Sequence, residues 1–349
     1  MPEIRIEEVR NFLKEIEGQE ISLDKLRSEL GIEKYDTQGH IAKSFNSIRG
    51  MVFELVEQKF LRYVGRGLYR VVIQVEPVQV FGIEREDIPP FDLKFPRAFD
   101  SEMEMDFAND VVVRQGDLIT IGGVKSSGKT QLCLGILGEN INKYPVIMGN
   151  EFTFELSAEE QKKQGKKYDV VPRFYNRIKT MGEWINWKDD NGIEKFTLLP
   201  VWDDYAEHIV KNKINIVDYV SLAADKLYDV GKVLRGIKTN VGRGVAIATL
   251  QKKEGAIDPR GGQFVRDSAD LELLLDGFGD DTDDVLLTIR GCKEKHKPIV
   301  GKTYAYTIGG NGTKIFNFRE VKKCPDCKGQ GFKAGKPCET CFTKKYIDK

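Results

Sequence analysis

Gly123-Val124-Lys125-Ser126-Ser127-Gly128-Lys129-Thr130 is the stretch that decides the fold. It spells G-x-x-x-x-G-K-T, the phosphate-binding P-loop pattern. The run before it, Asp117-Leu118-Ile119-Thr120-Ile121, is short and mostly apolar, as a buried strand requires. The residues after it, Gln131 to Asn142, predict a helix with Leu134, Leu137 and Ile141 on one side. Strand, glycine loop and helix are the context in which the motif carries chemistry. Gly123 and Gly128 let the backbone close on an anion without a Cβ in the way. The loop amides of Val124 to Ser127 and the helix start at Gln131 point at a polyphosphate. Lys129 brings a point charge to the β- and γ-phosphates, and the Thr130 hydroxyl suits Mg²⁺. The expected cofactors are therefore ATP and Mg²⁺.

Composition frames the rest. The chain has 349 residues, 40% hydrophobic and 31% charged, with formal net charge +0. That is a globular composition with no bulk attraction to nucleic acid or membrane, so any such surface is local. No apolar run approaches the roughly 18 residues that span a bilayer. The opening Met1-Pro2-Glu3-Ile4-Arg5 lacks the basic-then-apolar pattern of a signal peptide, so a cytoplasmic, reducing location is expected. Of six cysteines, Cys133 and Cys292 sit singly in apolar surroundings and read as packing residues.

Residues 1–76 read as three helices and a hairpin. Ile6, Val9, Leu13 and Ile16 mark the first helix, over about residues 5–17. Ser22 caps a second that Gly31 ends, and a third is expected from about Gly39 to Gln58. Two β-rich runs follow, joined by Gly65-Arg66-Gly67, with Arg62, Arg66 and Arg70 decorating the hairpin. This order is winged-helix-like, a relative of the helix-turn-helix DNA readers. Residues 1–75 hold 12 Lys+Arg and 12 Asp+Glu, a neutral balance that leaves duplex DNA and protein docking both open, with Arg66 the candidate contact. Residues 77–97, with Pro77, Pro89, Pro90 and Pro96, read as a linker or strap extended toward a neighbouring subunit.

From 98 to 320 short apolar runs alternate with helical periodicity, the mark of a mostly parallel α/β sheet. Strands are expected at 145–148, 214–217, 245–249 and 271–274, with an antiparallel set at 286–289, 304–308 and 314–318. Glu151, Asp218 and Gln251 follow strand ends, where ligands bind in such sheets. Asp218 holds Mg²⁺ in this reading, Glu151 orients and deprotonates the attacking water, and Gln251 senses the γ-phosphate. Singly, a carboxylate after a strand also serves as a helix cap.

Ile216-Val217-Asp218-Tyr219-Val220-Ser221-Leu222, Gly244 to Gln251 and Arg266-Asp267-Ser268-Ala269-Asp270-Leu271 resemble the core of DnaB-type replicative helicases, within the RecA superfamily. The resemblance covers about residues 98–319. It implies a RecA-like fold, ATP hydrolysis between adjacent subunits of a homo-oligomeric ring or filament, and single-stranded DNA held by loops. Lys252, Lys253 and Arg260, with Gly261 and Gly262, fall where that family has a DNA-contacting loop; a solvated surface loop is the alternative. The family's trans-acting Lys-x-Arg matches Lys293-Glu294-Lys295, so Lys295 stands where an arginine is expected and Arg290 is a possible substitute. Residues 184–198 look like an added hairpin turning at Asn191-Gly192, its Trp184 and Trp187 either packing or stacking bases. Asp280-Asp281-Thr282-Asp283-Asp284 reads as a solvated acidic loop or a metal site.

The tail, 321–349, carries Cys324-Pro325-Asp326-Cys327 and, ten residues on, Cys338-Glu339-Thr340-Cys341. Two C-x-x-C turns present four thiolates to Zn²⁺, and a segment this short needs metal to fold. Cys327-Lys328-Gly329-Gln330-Gly331 resembles one zinc-knuckle repeat of the DnaJ chaperones. Residues 320–349 hold 8 Lys and 4 Asp+Glu, favouring a nucleic-acid or acidic-partner surface. The combined expectation is an ATP-driven helicase or translocase on single-stranded DNA in replication or recombination, with a recombination mediator or an ATP-switched adaptor as alternatives.

Overall fold

The computed structural model describes residues 5–73, 88–149, 151–221, 229–254, 256–278 and 283–349. The chain divides into two units, Met1–Glu86 and Asp87–Lys349. In the first, α1 (Ile6–Glu15) is followed by β1 (Glu20–Ser22), α2 (Leu23–Glu29), α3 (Lys43–Glu57), β2 (Leu61–Gly65) and β3 (Leu68–Val71). The strands pair antiparallel in the order β1-β3-β2. Val9, Leu13, Leu26, Val52 and Leu55 bring the apolar stripes of the helices onto Ile21, Leu61 and Val71 of this sheet. Ser22 caps α2 by accepting the Lys25 amide.

The third helix begins four residues later than its periodicity predicts. The Asp36 carboxylate accepts the amides of Gln38 and His40, and Tyr35 pairs with Ile41, so this segment closes as a turn. In the hairpin, Gly65 pairs with Leu68, which leaves Arg66 and Gly67 as a two-residue loop with φ of 50° and 73°. Arg62 lies opposite Arg70 across the ladder, both exposed, with Arg66 exposed at the tip.

The second unit is organised by one ten-stranded sheet. It opens with β4 (Leu118–Gly123), α4 (Lys129–Glu139) and β5 (Val146–Met148). A side hairpin of β6 (Thr153–Glu155) and β7 (Tyr168–Val170), spanned by α5 (Ala158–Gln164), leads to α6 (Pro172–Met181) and β8 (Thr197–Leu199). Then come β9 (Ile214–Val217), α7 (Val230–Asn240), β10 (Val245–Gln251), α8 (Gln263–Ser268) and β11 (Leu271–Gly277). Strands β12 (Asp284–Cys292), β13 (Thr303–Gly309) and β14 (Lys314–Lys323) follow, then the small pair β15 (Phe332–Lys333) and β16 (Lys336–Pro337), and last β17 (Tyr346–Asp348).

The sheet order is β8-β5-β9-β10-β4-β11-β12-β13-β14-β17. From β8 to β11 all neighbours are parallel; from β11 to β17 all are antiparallel. The P-loop strand β4 and the carboxylate strand β9 are separated by β10. With helices on both faces this is a layered α/β architecture whose parallel half is centred on the P-loop strand. Alternation along the strands feeds two cores. Ile119, Ile121, Ile147, Ile216 and Ile247 join the cluster that holds α4 residues Leu132, Leu134, Ile136 and Leu137. Leu118, Met148, Val217, Ala246 and Ala248 join the cluster of Leu234 and Ile237 from α7 and Val241 just after it.

Two expectations need correction. Residues 88–97, read as part of the linker, lie on this unit: Phe91 donates to Val113 O, the Lys94 amide donates to Asn140, and Phe95 is buried. The reason is the apolar content of that strap, which offers Leu93 and Phe95 to the core. The hairpin read over 184–198 is present but shorter: it turns at Asn191-Gly192 as expected, Asp189 N donates to Ile193 O and Lys195 N to Trp187 O, and it ends before residue 197. Lys188 and Glu194 form a single bridge around an Asp189-capped turn, while Thr197–Leu199 joins the main sheet beside β5. Trp187 packs on Phe196 and donates its indole N–H to Ile178 O.

Phe107 is fully buried and touches the rings of Phe95, Tyr304 and Phe318, which join the 88–97 strap to the antiparallel half of the sheet. Phe107→Ala is expected to cost about 3–5 kcal/mol of stability, measured by urea unfolding of the full chain. A loss below about 1 kcal/mol, the size of a surface change, would show that this junction is not part of the cooperative core.

Candidate nucleotide site

Each residue that chemistry at a phosphate requires sits at the carboxyl end of the parallel strands. Register fixes this: Gly123 of β4 pairs with Gln251 of β10 and Leu275 of β11, and Val217 of β9 pairs with Ala248 and Met148. The Lys252 amide then donates to Gly123 O at 2.9 Å. A Cβ on Gly123 would meet Ser127 Oγ at 2.3 Å and Leu275 O at 3.0 Å, so the loop's first position has room for glycine alone. Gly128, with φ of 86°, turns the chain into α4 against Ile308.

Lys129 is buried, and its ammonium donates to Gly123 O at 3.0 Å and Val124 O at 2.7 Å. Burial holds its pKa below the ordinary lysine value, opposed by the charges of Asp218 and Glu151. Asp218 is 4% exposed. Its carboxylate accepts the Thr249 hydroxyl at 2.6 Å and also the Thr130 hydroxyl. Desolvation raises its pKa, partly offset by those two hydroxyls and by Lys129. A hydroxyl and a desolvated carboxylate side by side form an all-oxygen set that suits Mg²⁺. Thr130 and Asp218 would hold it, the ion offsetting the cost of burying that charge.

Glu151 is exposed at the rim, and its charge acts on Lys129, Asp218 and Arg177. Val124, Lys125, Ser126 and Gln131 complete the loop and the first turn of α4, with Ser126 at φ of 63°. Gln251 ends β10 beside Gly123. The structure thus brings together Lys129, Thr130, Glu151, Asp218 and Gln251.

Lys295 lies elsewhere. Leu271, Ile119 and Cys292 are in register at the opposite edge of the sheet, and Lys295 bridges Val111 beyond that edge. It is therefore away from the P-loop of its own chain. Arg290 is engaged within its own chain, 3.5 Å from Asp258, which also binds Arg266. Beneath them Glu272, 2% exposed, lies 4.0 Å from Arg266, and burial raises its pKa against the pull of both arginines.

In the loop after β10 the expectations divide. Lys252 is a correction. Its side chain is 4% exposed and its ammonium is paired with Asp276, because the residue that leaves the sheet points back under the loop. Lys253 and Arg260 are exposed, and Ile257 between them is 72% exposed. Pro259 is buried over Gly122, and Arg260 N donates to Gln251 O, so the loop is pinned beside the P-loop. Of the acidic run, residues 280–282 lie outside the described residues; Asp284, the first residue of β12, accepts the Thr307 hydroxyl of β13.

Sequence reading missed Arg177 and Thr249. Arg177 sits on α6 against Gly312, half-buried, its Nε without a partner. Burial lowers its pKa, and the charges of Asp218 and Glu151 oppose that. No motif surrounds it, so only folding brings it to the phosphate end. Thr249 carried a weak signal, a hydroxyl in the apolar run Val245 to Leu250.

The four tail cysteines form a second site. Cys324, Cys327, Cys338 and Cys341 are buried, and their sulfurs all lie within 4.8 Å of one another. The Cys324–Cys338 and Cys327–Cys341 separations are 3.8 and 3.6 Å. A tetrahedron with Zn–S bonds near ~2.3 Å has edges near ~3.8 Å, whereas a disulfide needs about 2.0 Å. The donor set therefore fits zinc. Against the upward push of burial, the Gly331 amide and neighbouring thiols draw the Cys327 thiol down, while burial drives Cys341 up.

No protein-family model matches the chain, and no curated protein matches it. Among solved structures it is similar to a KaiC-like protein from the hyperthermophilic archaeon Pyrococcus horikoshii, at 15% identity and a TM-score of 0.41 over 66% of this chain and 100% of that one. It is also similar to the RadB recombinase, at 14% identity and a TM-score of 0.40 over 58% of this chain and 91% of that one. The fold assignment rests on the strand order and the P-loop themselves.

Asp218 gives a two-sided prediction. A carboxyl whose folded pKa is raised opposes folding when ionised, and that opposition fades as pH falls through the folded value. Asp218→Asn is therefore expected to melt higher than the parent chain at pH 7, with the gap narrowing toward acid, and to lose Mg²⁺-dependent ATP binding. Calorimetric melts across pH and a Mg²⁺ titration check both halves. A lower Tm at pH 7 would mean that the two hydroxyl bonds outweigh the burial of the charge.

Proposed function

We propose that this chain is a Mg²⁺-dependent ATPase of RecA-like build that acts on DNA as a homo-oligomeric ring or filament. The carrying observation is the convergence of Lys129, Thr130, Asp218, Glu151 and Gln251 at one sheet edge while Lys293 to Lys295 lie at the other. Glu151, outside the carboxylate–hydroxyl cluster yet close enough to feel its charges, serves as general base toward water. Lys129 and Arg177 neutralise charge in cis. Lys295 of an adjacent copy completes the site, so half of each site lies on each face of a subunit. Arg260 and Lys253 meet the DNA backbone, in line with a DnaB-like helicase or translocase on single strands.

The N-terminal unit acts as a winged helix. Like charges opposite each other weaken a hairpin, so Arg62, Arg70 and the tip Arg66 suit a polyanion such as duplex DNA. The tail is a zinc knuckle whose metal substitutes for an apolar core, since the described cluster there consists of the four cysteines with Ile347.

A second reading, an adaptor that uses ATP as a slow switch, is favoured by Lys295. An ammonium neutralises charge but lacks the fork that binds two phosphate oxygens.

The deciding measurement is steady-state ATP hydrolysis with and without single-stranded DNA, with Glu151→Gln as control. Stimulation of about tenfold, lost in the control by a factor of about 10²–10⁴, is expected for the motor. Turnover indifferent to DNA rejects it in favour of the switch. For the tail, metal analysis is expected to find one zinc per chain, lost in Cys338→Ser together with protease resistance of residues 324–341. A metal-free chain that resists protease equally would reject the zinc assignment.

A further inference from the structure

A cavity of about 230 Å³ lies along α4, starting at the residue that follows the P-loop, and the phosphate chemistry leaves it unused. Gln131, Gly135 and Glu139, spaced four residues apart on α4, form one wall. Phe99 and Trp184 meet edge to face across its mouth, ring centroids 5.0 Å apart at 74°. Lys314 Nζ stands 4.3 Å from the Phe99 centroid and 5.1 Å from that of Trp184.

We propose that this cavity is a nucleoside subsite, taking the ribose and purine base of the nucleotide whose phosphates occupy the P-loop. The inference rests on the ATPase reading above and adds which residues select the nucleoside. Four observations carry it. The first is position: Gln131 directly follows Thr130, whose hydroxyl binds Asp218, so the cavity begins where the phosphates end.

The second is an unmet polar group. Gln131 is 4% exposed, lines the cavity, and its Oε1 has no hydrogen-bond partner. A buried acceptor without a donor costs free energy until an N–H or O–H meets it. At one residue from the phosphates, that donor is a ribose hydroxyl. The third is the platform. Phe99 is 40% exposed, an aromatic at the cavity mouth on which a base can stack, and the Lys314 ammonium beside it can donate to a ring nitrogen. Pro96 and Ile185 supply apolar walls. The fourth is size, since pockets for whole drug-sized ligands begin near about 300 Å³. A cavity below that limit suits a nucleoside fragment whose phosphates are bound outside it.

Titration calorimetry of the full chain with ATP and with inorganic tripolyphosphate tests this. Phe99→Ala and Trp184→Ala are each expected to weaken ATP about tenfold and to leave tripolyphosphate unchanged. Unchanged ATP affinity in the exposed-site variant Phe99→Ala overturns the subsite and leaves the P-loop reading intact. Failure of the parent chain to bind tripolyphosphate, or binding indifferent to Lys129→Ala, overturns the P-loop reading itself. If Trp184→Ala loses both ligands through misfolding, Phe99→Ala and photolabelling with 8-azido-ATP decide. Label on peptides containing residues 96–102 or 181–185 supports the subsite, and label confined to other peptides rejects it.

Discussion

Everything at the candidate site depends on the parallel register that sets Gly123 beside Gln251 and Leu275. Because β4 is flanked on both sides by parallel strands, the loop that leaves it has only one direction to go, outward over the carboxyl edge. The backbone bond from Lys252 N to Gly123 O then ties the loop after β10 to the first P-loop glycine. Asp218, Gln251 and the P-loop are thereby held to one another through main-chain hydrogen bonds rather than through flexible side chains. Close approach continues at Gly149, where a Cβ would stand 1.9 Å from Asp218 O. Position 149 therefore has room for glycine alone.

The charges near this edge are not free. Lys252 is neutralised by Asp276, and Arg290 shares Asp258 with Arg266 above the buried Glu272. Of these, only Lys252 and Glu272 are buried, at 4% and 2% exposure, and these two are held by their partners, since an unpaired buried ion costs several kcal/mol. The same network links the exposed Lys253–Arg260 segment to the antiparallel half of the sheet through Asp258.

The tail is stapled rather than trailing. Strand β14 runs directly into Cys324, and β17 returns from Lys345 to pair with Val321, Lys322 and Lys323. The four thiols thus close a loop whose two ends belong to the main sheet. Sulfur positions set by two strands match a tetrahedral ion without help from a large apolar core.

The sequence by itself determined the P-loop, the strands that alternate with helices, the carboxylate after Val217, the C-x-x-C pairs and the arginine hairpin. Each is a local pattern, set by glycine backbone freedom, by hydrophobic period or by fixed ligand spacing. It also led to an overlong third helix, because periodicity does not register the Asp36 side chain that competes for backbone amides. Tertiary structure alone decided that Lys252 is buried while Lys253 and Arg260 are exposed, and that Lys295 and the P-loop sit at opposite ends of one sheet. It alone decided that Arg177, distant in sequence from both carboxylates, shares their field, and that Phe99 and Trp184 meet beside α4. The reason is common to all of these. Burial, pairing and charge coupling depend on which strands lie side by side, and strand order is set by long-range packing that no single window of sequence contains.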